Sequence, residues 1–312
     1  MKYFFPVVFF AAALACASPV FAAEPVRELK ILTIGNSFSW SLRTFFAKAA
    51  AADGVKLKLE FANLGGCSFE RHWNNFVKSE KDPSFKPYIF NRPAKSLQEL
   101  LTGDKWDIVT IQQASPLSWQ AESYQPFADE LIAAVRKLAP TAEIVIQQTW
   151  SYNAADPRLI PGGRGFWGFD QTGMYEKLDA AYRGLARKHD LRMIPTGYAV
   201  QLYRKAMGDK LVACEPKDCS CTRKPDTPKT TDVVGSFHWG KDGKTGEEKL
   251  LRDCIHLNVR GQYLQALVWY AELFGMDPEK SSFVPKGISA EEIALLKKCA
   301  REAVKNYPQV GR

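Results

Sequence analysis

Short apolar runs that alternate with helical segments constrain this sequence more than any other feature. Five of these runs have the length and composition of buried strands, and helical stretches separate them. Such an alternation is typical of a mainly parallel sheet with helices on both faces. The sequence therefore predicts an α/β fold built on a five-stranded sheet. The predicted strands are residues 30–34, 55–64, 106–111, 143–146 and 191–194.

Helical periodicity between these runs defines the rest of the predicted architecture. A capping-box pattern beginning at Ser289 opens the last helix, and Ser68 is placed to cap the helix after the second strand. Two segments interrupt the alternation, residues 149–172 and the long, charged residues 208–252. We predict one domain over residues 23–312 with a cysteine-containing insertion at about 208–252. The other helices are predicted at residues 42–52, 127–138, 173–189 and 260–274.

Residues 1–22 have the pattern of an export signal. The apolar stretch at residues 3–15 is too short to span a bilayer, and small residues before Ala22 suit cleavage there. A lipoprotein signal ending at Cys16 is the weaker alternative, since Leu14 lies one place too close to the cysteine. We therefore expect a protein that is exported to the periplasm or beyond and has no integral membrane segment.

The charge of the chain argues against one class of partner. The formal net charge of the 312 residues is +8, and the basic residues are spread along the chain rather than packed into runs. They are not interleaved with aromatic residues, as they are in many nucleic-acid-binding surfaces. We predict no nucleic-acid partner.

The cysteines predict a disulfide. Cleavage after residue 22 removes Cys16 and leaves an even number of cysteines, which in an oxidising compartment favours disulfides. We expect a buried free thiol at Cys299, in the final helix, and at least one disulfide among the other five. A four-thiolate zinc site is the alternative, but the spacing lacks a second Cys-x-x-Cys pair. The five are Cys67, Cys214, Cys219, Cys221 and Cys254.

Ser37 follows directly on the first predicted strand, in the stretch Gly35-Asn36-Ser37. In a doubly wound sheet, ligands bind at the carboxyl ends of the strands, so Ser37 stands where a nucleophile would stand. Taken alone, Ser37 or Ser39 is better explained as the cap of the following helix. A catalytic interpretation requires a base and an acid elsewhere in the chain.

His256 is the best candidate for that base. Asp253 precedes it by three residues, which in a turn brings two side chains to one side. Asp253 would then accept a proton from one imidazole nitrogen while the other nitrogen faces the serine. His189 lies at a predicted helix end, and His72 and His238 are candidates for lining a pocket. The sequence therefore predicts a triad of Ser37, His256 and Asp253.

An oxyanion hole is the third requirement of this chemistry. The backbone N–H groups of Ser37 and Gly66 and the side-chain amide of Gln112 are the predicted donors. Gly65-Gly66 is equally explained as a plain strand-to-helix turn. Gln113 is the alternative to Gln112 as the amide donor. If the strand continues through both residues, their side chains point to opposite faces of the sheet and only one of them can face the oxyanion.

Four blocks of this sequence resemble those of the SGNH (GDSL-type) hydrolase superfamily. They are Gly35-Asn36-Ser37-Phe38, Asn63-Leu64-Gly65-Gly66, the strand ending at Gln112, and Asp253-Cys254-Ile255-His256. The resemblance implies a flavodoxin-like three-layer α/β/α sandwich and ester hydrolysis without a metal or other cofactor. The chain departs from the superfamily in reading GNSF for GDSL. A glutamine also stands where the third block usually has an asparagine. The sialate O-acetylesterase branch has a glutamine in a similar position.

A narrower resemblance rests on longer stretches. LGGCSFERHW, IQQASPLSW, QQTWSY and HLNVRGQYLQALVWY are similar to a bacterial family within that superfamily, the domain of unknown function 4886 family. The family's unknown status leaves the substrate open.

These residues together predict an exported serine esterase. We expect it to act on a small-molecule or polysaccharide ester, most often an acetyl group on a carbohydrate, because aromatic faces near the strand ends suit sugar rings. A non-catalytic carbohydrate-binding protein and an acyltransferase using the same triad are the alternatives. The candidate substrate-binding residues are Trp73, Trp119, Trp150, Tyr152, Trp167, His238 and Trp239.

Overall fold

A five-stranded parallel sheet lies at the centre of the computed structural model, which describes residues 28–90, 93–213 and 222–311. The strand order is β2-β1-β3-β4-β5, and every neighbouring pair is parallel. Residues in the three middle strands are almost wholly buried, as expected for a sheet that is covered on both faces. The strands are β1 (Glu28–Gly35), β2 (Lys56–Asn63), β3 (Ile108–Ile111), β4 (Glu143–Gln147) and β5 (Met193–Ile194).

Helices cover both faces of the sheet and complete the predicted three-layer α/β/α sandwich. The helices are α1 (Ser37–Trp40), α2 (Phe46–Ala52), α3 (Phe69–Lys81), α4 (Leu97–Leu101), α5 (Phe127–Leu138), α6 (Gln171–His189), α7 (Thr196–Met207), α8 (Val259–Phe274) and α9 (Ala290–Asn306). Helices α2, α7, α8 and α9 pack together in one outer layer, and α3, α4 and α5 pack together in the other. Helix α8 is buried along nearly its whole length, which explains its continuous apolar sequence.

Side-chain caps fix several helix starts where the sequence predicts them. Ser68 accepts a hydrogen bond from the N–H of Arg71 at the start of α3, and Ser289 accepts one from the N–H of Glu292 at the start of α9. The helix predicted at residues 42–52 is shorter in the structure, where α2 begins at Phe46 and is preceded by a 3-10 turn at Ser41–Arg43 and by the short α1.

Part of the predicted insertion is a β-hairpin, which corrects its interpretation as a long polar loop. Strands β6 (Val234–Lys241) and β7 (Glu248–Leu257) pair antiparallel as a separate two-stranded sheet. Backbone pairing stabilises this polar segment even though it has little apolar surface to bury. The base of the hairpin is held by a buried ion pair in which Arg204 Nη2 lies 2.9 Å from Asp232 Oδ2.

The predicted disulfide does not involve the cysteines that the structure describes. Cys67, Cys254 and Cys299 are buried free thiols, and the prediction for Cys299 is therefore confirmed. Burial raises the pKa of the Cys254 thiol to about 11. Cys214, Cys219 and Cys221 lie outside the described residues, as does the segment 1–22 with its predicted cleavage site. None of the helices in the described ranges is both long and apolar enough to cross a membrane.

Candidate active site

The topology of the sheet creates a crevice where the predicted site residues meet. The chain proceeds from β1 to β2 on one side and then crosses to β3 on the other side of β1. In sheets of this strand order, ligands bind at that switch point, outside the carboxyl ends of the strands. Ser37 follows β1 and Gln112 follows β3, so both lie at this edge.

Asn36 sets the conformation in which Ser37 leaves the sheet. It caps α1, because its Oδ1 accepts the N–H of Phe38 at 3.0 Å. Its Nδ2 donates to the carbonyl of Cys67 at 3.1 Å. Asn36 therefore joins residues 35–38, the predicted nucleophile turn, to the loop that follows β2. The residue that caps the helix is thus Asn36 and not Ser37 or Ser39.

The structure brings Ser37, His256 and Asp253 together. Ser37 Oγ lies 2.9 Å from His256 Nε2, and His256 Nδ1 lies 2.7 Å from Asp253 Oδ2. These are hydrogen-bond distances, and they link a hydroxyl, an imidazole and a carboxylate in the order that nucleophilic catalysis requires.

A bulge in the hairpin shapes the Asp-x-x-His segment. Val234 pairs with Leu257 and Ser236 pairs with Asp253, so the single residue Gly235 faces three residues of β7. The extra residues form a tight turn, and bulges of this kind re-aim side chains beside active sites. Gly235 has a φ of +98°, in the region that favours glycine.

Asp253 is held as a carboxylate by its hydrogen bonds. Burial disfavours its charge, but the His256 ring and the backbone N–H groups of His256 and Ile255 outweigh that effect and lower the pKa of Asp253 to about 2. Oδ1 accepts the two N–H groups at 2.8 and 3.0 Å, which leaves Oδ2 for the imidazole. The aspartate therefore fixes both the orientation and the tautomer of His256.

An aromatic platform supports the imidazole. Phe38 stacks on Trp150 with ring centroids 4.0 Å apart, and the His256 ring contacts Phe38 edge-on at 5.7 Å. The indole N–H of Trp150 donates to the carbonyl of Ile255 at 2.9 Å. Trp150 thus packs beneath the base and is fully buried, rather than offering a free face to a sugar.

Backbone donors are available beside the serine. The turn after β2 closes through a hydrogen bond from the N–H of Cys67 to the carbonyl of Leu64, with Gly66 at a φ of +60°. Among the described residues, the N–H groups of Ser37 and Gly66 have no protein acceptor. Both glycines of this turn are exposed. The turn can therefore present an N–H group towards solvent near the serine.

Gln112 lies below the serine instead of facing the crevice. Its Nε2 donates to Asn36 Oδ1 at 2.6 Å, and its Oε1 lies 3.1 Å from Ser39 Oγ. The side chain is buried, and Ser39 donates to Gln147 Oε1 at 2.8 Å in the same network. This placement differs from the predicted one, in which the Gln112 amide points at an oxyanion. It makes Gln112 a support for the nucleophile turn.

Gln113 is also buried, on the other side of the strand end. Its Oε1 accepts the N–H of Phe69 at 3.0 Å, and its Nε2 donates to Ser123. It thereby holds the start of α3, so neither glutamine has a side-chain amide free at the crevice.

His72 is a buried structural residue. Its Nε2 lies 3.0 Å from the carbonyl of Gly35 and its Nδ1 lies 2.8 Å from the hydroxyl of Tyr88. Burial lowers the pKa of His72 to about 4, so the ring is neutral and donates to Gly35. His189 pairs with Asp129 at the end of α6. Neither histidine lies in the crevice.

Most of the predicted substrate-binding aromatic residues pack elsewhere. Tyr152 is fully buried and its hydroxyl bonds that of Ser115. Trp119 packs against Trp167, with ring centroids 5.3 Å apart. Trp73 stacks on Phe76 in α3, Trp239 donates its indole N–H to the carbonyl of Asp226, and His238 is exposed on β6. Of the predicted set, only Trp150 borders the cavity at Ser37.

An open cavity of about 440 Å³ contains the serine and the histidine. The sequence analysis did not predict Arg43 and Thr44 in its wall, because residues 42–52 were interpreted as one continuous helix. In the structure, the short α1 and the 3-10 turn after it direct this segment towards the cavity. The cavity is lined by Ser37, Trp40, Ser41, Arg43, Thr44, Trp150, His256, Leu257 and Gln262. Within the described ranges, no three metal-ligating side chains come together.

Gly35 should not tolerate a side chain. A Cβ there would lie 2.5 Å from Ser39 Oγ and 3.1 Å from two carbon atoms of Gln112. We expect Gly35→Ala to displace the turn at Ser37 and, since Ser37 is the predicted nucleophile, to lower the kcat of the predicted esterase by about 10²-fold, the effect of a displacement of about 1 Å. Kinetics on p-nitrophenyl acetate would measure it.

Gly54→Ala is the matched control for that experiment. Gly54 has a φ of +76° and open space around its Cβ position, so alanine there costs only left-handed backbone strain, about 1–2 kcal/mol. We expect it to lower the melting temperature without changing kcat. Equal kcat values for the two variants would contradict the inference that a side chain at residue 35 displaces Ser37.

One solved structure supports the fold, and two others show weaker similarity. A structure of a DUF4886 family protein from Bacteroides uniformis ATCC 8492 is 24% identical, covers 90% of this chain and 96% of its own, and has a TM-score of 0.69. An acetyl xylan esterase is 14% identical, with 78% and 98% covered and a TM-score of 0.47. A lipase/acylhydrolase from Enterococcus faecalis is also 14% identical, with 79% and 96% covered and a TM-score of 0.43. No curated protein matches the chain.

The family is established by the sequence itself. The family model described as a domain of unknown function, DUF4886, matches residues 30–211, which is more than half of the chain. The match includes the nucleophile turn, the Gly65-Gly66 loop and both glutamines. The chain therefore belongs to the DUF4886 family, as its motifs predict.

Proposed function

We propose that this protein is a serine esterase in which Ser37 is the nucleophile, His256 the base and Asp253 the orienting acid. The observation that carries the proposal is the continuous hydrogen-bonded chain from the serine through the imidazole to the carboxylate. These three hydrogen-bonded side chains lie at the switch point of the sheet, and Ser37 and His256 border an open cavity. The first and the last of the four sequence blocks that resemble SGNH hydrolases contain these three residues.

The geometry supports acylation of Ser37. His256 Nε2 takes the hydroxyl proton as Ser37 Oγ attacks the ester carbonyl carbon. The carbonyl oxygen becomes an oxyanion, for which the backbone N–H groups of Ser37 and Gly66 are the proposed donors. The tetrahedral intermediate collapses by breaking the bond to the alcohol oxygen, which receives the proton from His256.

Deacylation repeats the same steps with water. His256 takes a proton from a water molecule that attacks the acyl carbon, and Ser37 leaves with that proton restored. Asp253 remains ionised throughout and stabilises the imidazolium. The acid product is then released and the triad is ready for another ester.

Gln112→Ala should separate a supporting role from an oxyanion role. Loss of the amide leaves Asn36 Oδ1 with one donor fewer and opens a cavity under the nucleophile. We expect stability to fall by about 1–3 kcal/mol together with kcat. A pure oxyanion donor would lower kcat by about 10²–10³-fold and leave stability unchanged. Urea unfolding and steady-state kinetics on the same preparations would distinguish the two.

Gln113→Ala is the comparison for Gln112→Ala. It removes a buried amide of the same size that bonds the start of α3 instead of Asn36. We expect a similar loss of stability with a smaller loss of kcat. A larger loss of kcat in Gln113→Ala would transfer the supporting role to that residue.

For the substrate, we propose an acyl group, most often acetyl, on a carbohydrate. The cavity is open and lined mainly by polar side chains, with the half-buried Trp40 at its wall. Hydroxyl and amide groups suit the hydroxyls of a sugar better than they suit a long alkyl chain.

Labelling with a fluorophosphonate probe tests the catalytic proposal directly. We expect the wild type to be labelled and Ser37→Ala to remain unlabelled. Absence of labelling in the folded wild type would favour a non-catalytic carbohydrate-binding protein. Hydrolysis of acetylated polysaccharides would then be compared with acetyl transfer to added sugar, because a sugar acceptor that outcompetes water would identify an acyltransferase.

We also propose that the protein is exported and that its mature chain begins at Ala23. The support is the apolar stretch at residues 3–15 and the small residues before Ala22. Mass spectrometry of the protein from the periplasmic fraction would test this, and an intact N-terminus there would contradict it.

A further inference from the structure

The cavity at Ser37 carries one permanent charge. Among the described residues that line it, Arg43 has a guanidinium group, His256 has an imidazole and the others are uncharged. No carboxylate of the described residues lines the cavity, since Asp253 lies behind the imidazole. The wall next to the nucleophile is therefore electropositive.

Arg43 is placed to bind something other than the protein. Its guanidinium carbon lies 4.4 Å from the centroid of the Phe90 ring, and the residue is exposed. Within the described part of the chain, no carboxylate pairs with it. Contact with the ring restricts the side chain while the N–H edge of the guanidinium stays open.

The position of Arg43 relates it to the reacting bond. It ends the 3-10 turn that follows α1, six residues after Ser37, so one short rigid segment carries both the nucleophile and the cation. Thr44 and Gln262 line the same cavity and offer a hydroxyl and an amide. A ligand whose ester lies at Ser37 can therefore meet hydroxyl-binding groups and a guanidinium within one cavity.

We propose that the ester substrate carries a carboxylate and that Arg43 binds it, which narrows the substrate to an acylated acidic sugar of the uronic acid type. This inference rests on the proposed esterase function. A guanidinium matches a carboxylate with two parallel N–H···O bonds, and the neighbouring hydroxyl and amide match sugar hydroxyls. Arg43 acts on binding and takes no part in proton transfer.

A matched substrate pair tests the proposal. The probes are an O-acetylated methyl galacturonoside and the same compound with its carboxylate converted to a methyl ester, and released acetate is measured. We expect the wild type to prefer the acid by about tenfold in kcat/KM, the effect of one charge-assisted hydrogen-bonded pair. The preference should decline with added salt, because Arg43 is exposed.

Variants of Arg43 give the decisive comparison. Arg43→Gln should reduce the acid-to-ester ratio to about one, and Arg43→Lys should retain part of it, since lysine keeps the charge but loses the planar fork. Lys48→Gln is the matched control, because Lys48 also lies over a phenyl ring, that of Phe45, but does not line the cavity. We expect Lys48→Gln to keep the wild-type ratio.

Binding to Ser37→Ala separates this inference from the esterase proposal. Isothermal titration of that variant with each galacturonoside needs no turnover. We expect tighter binding of the acid, lost in the Ser37→Ala/Arg43→Gln double variant, even if the true reaction is acyl transfer. Equal affinity for the two compounds would overturn the acidic-substrate inference. Preferential binding of the acid without Ser37-dependent turnover would overturn the esterase proposal and leave the Arg43 subsite in place.

Discussion

Ser37→Ala is expected to lower kcat for ester hydrolysis by about 10⁶-fold, the loss seen when a serine nucleophile or its histidine is removed from a triad. Without the hydroxyl, no acyl-enzyme can form, and the remaining rate comes from binding and backbone donors alone. His256→Ala should cost about as much, because Ser37 Oγ would lose the base that lies 2.9 Å away. The double variant should be no slower than either single one, since the two groups act in one step.

Two controls distinguish a loss of catalysis from unfolding and from the removal of any histidine. Ser37 and His256 are only partly buried, so both variants should unfold at nearly the wild-type temperature. His238→Ala is the matched histidine control, because His238 is exposed on β6 and does not line the cavity. We expect it to keep full activity. Activity that survives in His256→Ala and disappears in His238→Ala would show that the base has been misassigned.

The central sheet could be predicted from sequence because each strand is a short buried apolar run. Residues 143–146 and 30–34 differ from the observed β4 and β1 only at their ends. Helix α5 was predicted with its observed limits, since its apolar face, its acidic first turn and the stop near Pro140 all agree. Local pattern and tertiary burial give the same answer in these elements.

Two of the elements that the sequence analysis did not predict have a weak local pattern. Helix α7 follows a strand of two residues, and no polar cap marks the boundary between them. The hairpin β6–β7 is only partly buried and carries many charges, so its sequence does not show a buried run. Its pairing depends on backbone hydrogen bonds between segments that the sequence alone does not place side by side.

The candidate site also contains residues whose placement could be predicted from sequence and residues whose placement could not. The contact among Ser37, Asp253 and His256 could be predicted because their chemistry and their order along the chain restrict the choice. The direction of the Gln112 side chain could not be predicted. An amide at a strand end can point towards the crevice or towards Asn36, and only the packing of the folded protein determines that it points towards Asn36. Trp150 was assigned to sugar binding for a similar reason, since a stacking partner such as Phe38 cannot be recognised from sequence.

Asp253→Asn is expected to lower kcat by about 10⁴-fold without removing any atom that touches the substrate. The asparagine carbonyl can still accept the backbone N–H groups of Ile255 and His256, so its NH₂ group would face His256 Nδ1. That nitrogen would then have to accept, which moves the ring proton to Nε2, and Nε2 could no longer take the proton of Ser37. The same steady-state assay as for Ser37→Ala would measure the loss.

The pH dependence of stability provides an independent test of the Asp253 contacts. A carboxyl whose pKa is lowered to about 2 on folding, from about 3.9 in the unfolded chain, stabilises the protein above the unfolded value. That contribution is lost as the pH falls from about 4 through 2. The difference in unfolding free energy between wild type and Asp253→Asn should therefore be constant near neutral pH and shrink between pH 4 and pH 2. Urea unfolding of both proteins across that range would measure it, and a difference that does not change would show that the carboxylate is not held by these hydrogen bonds.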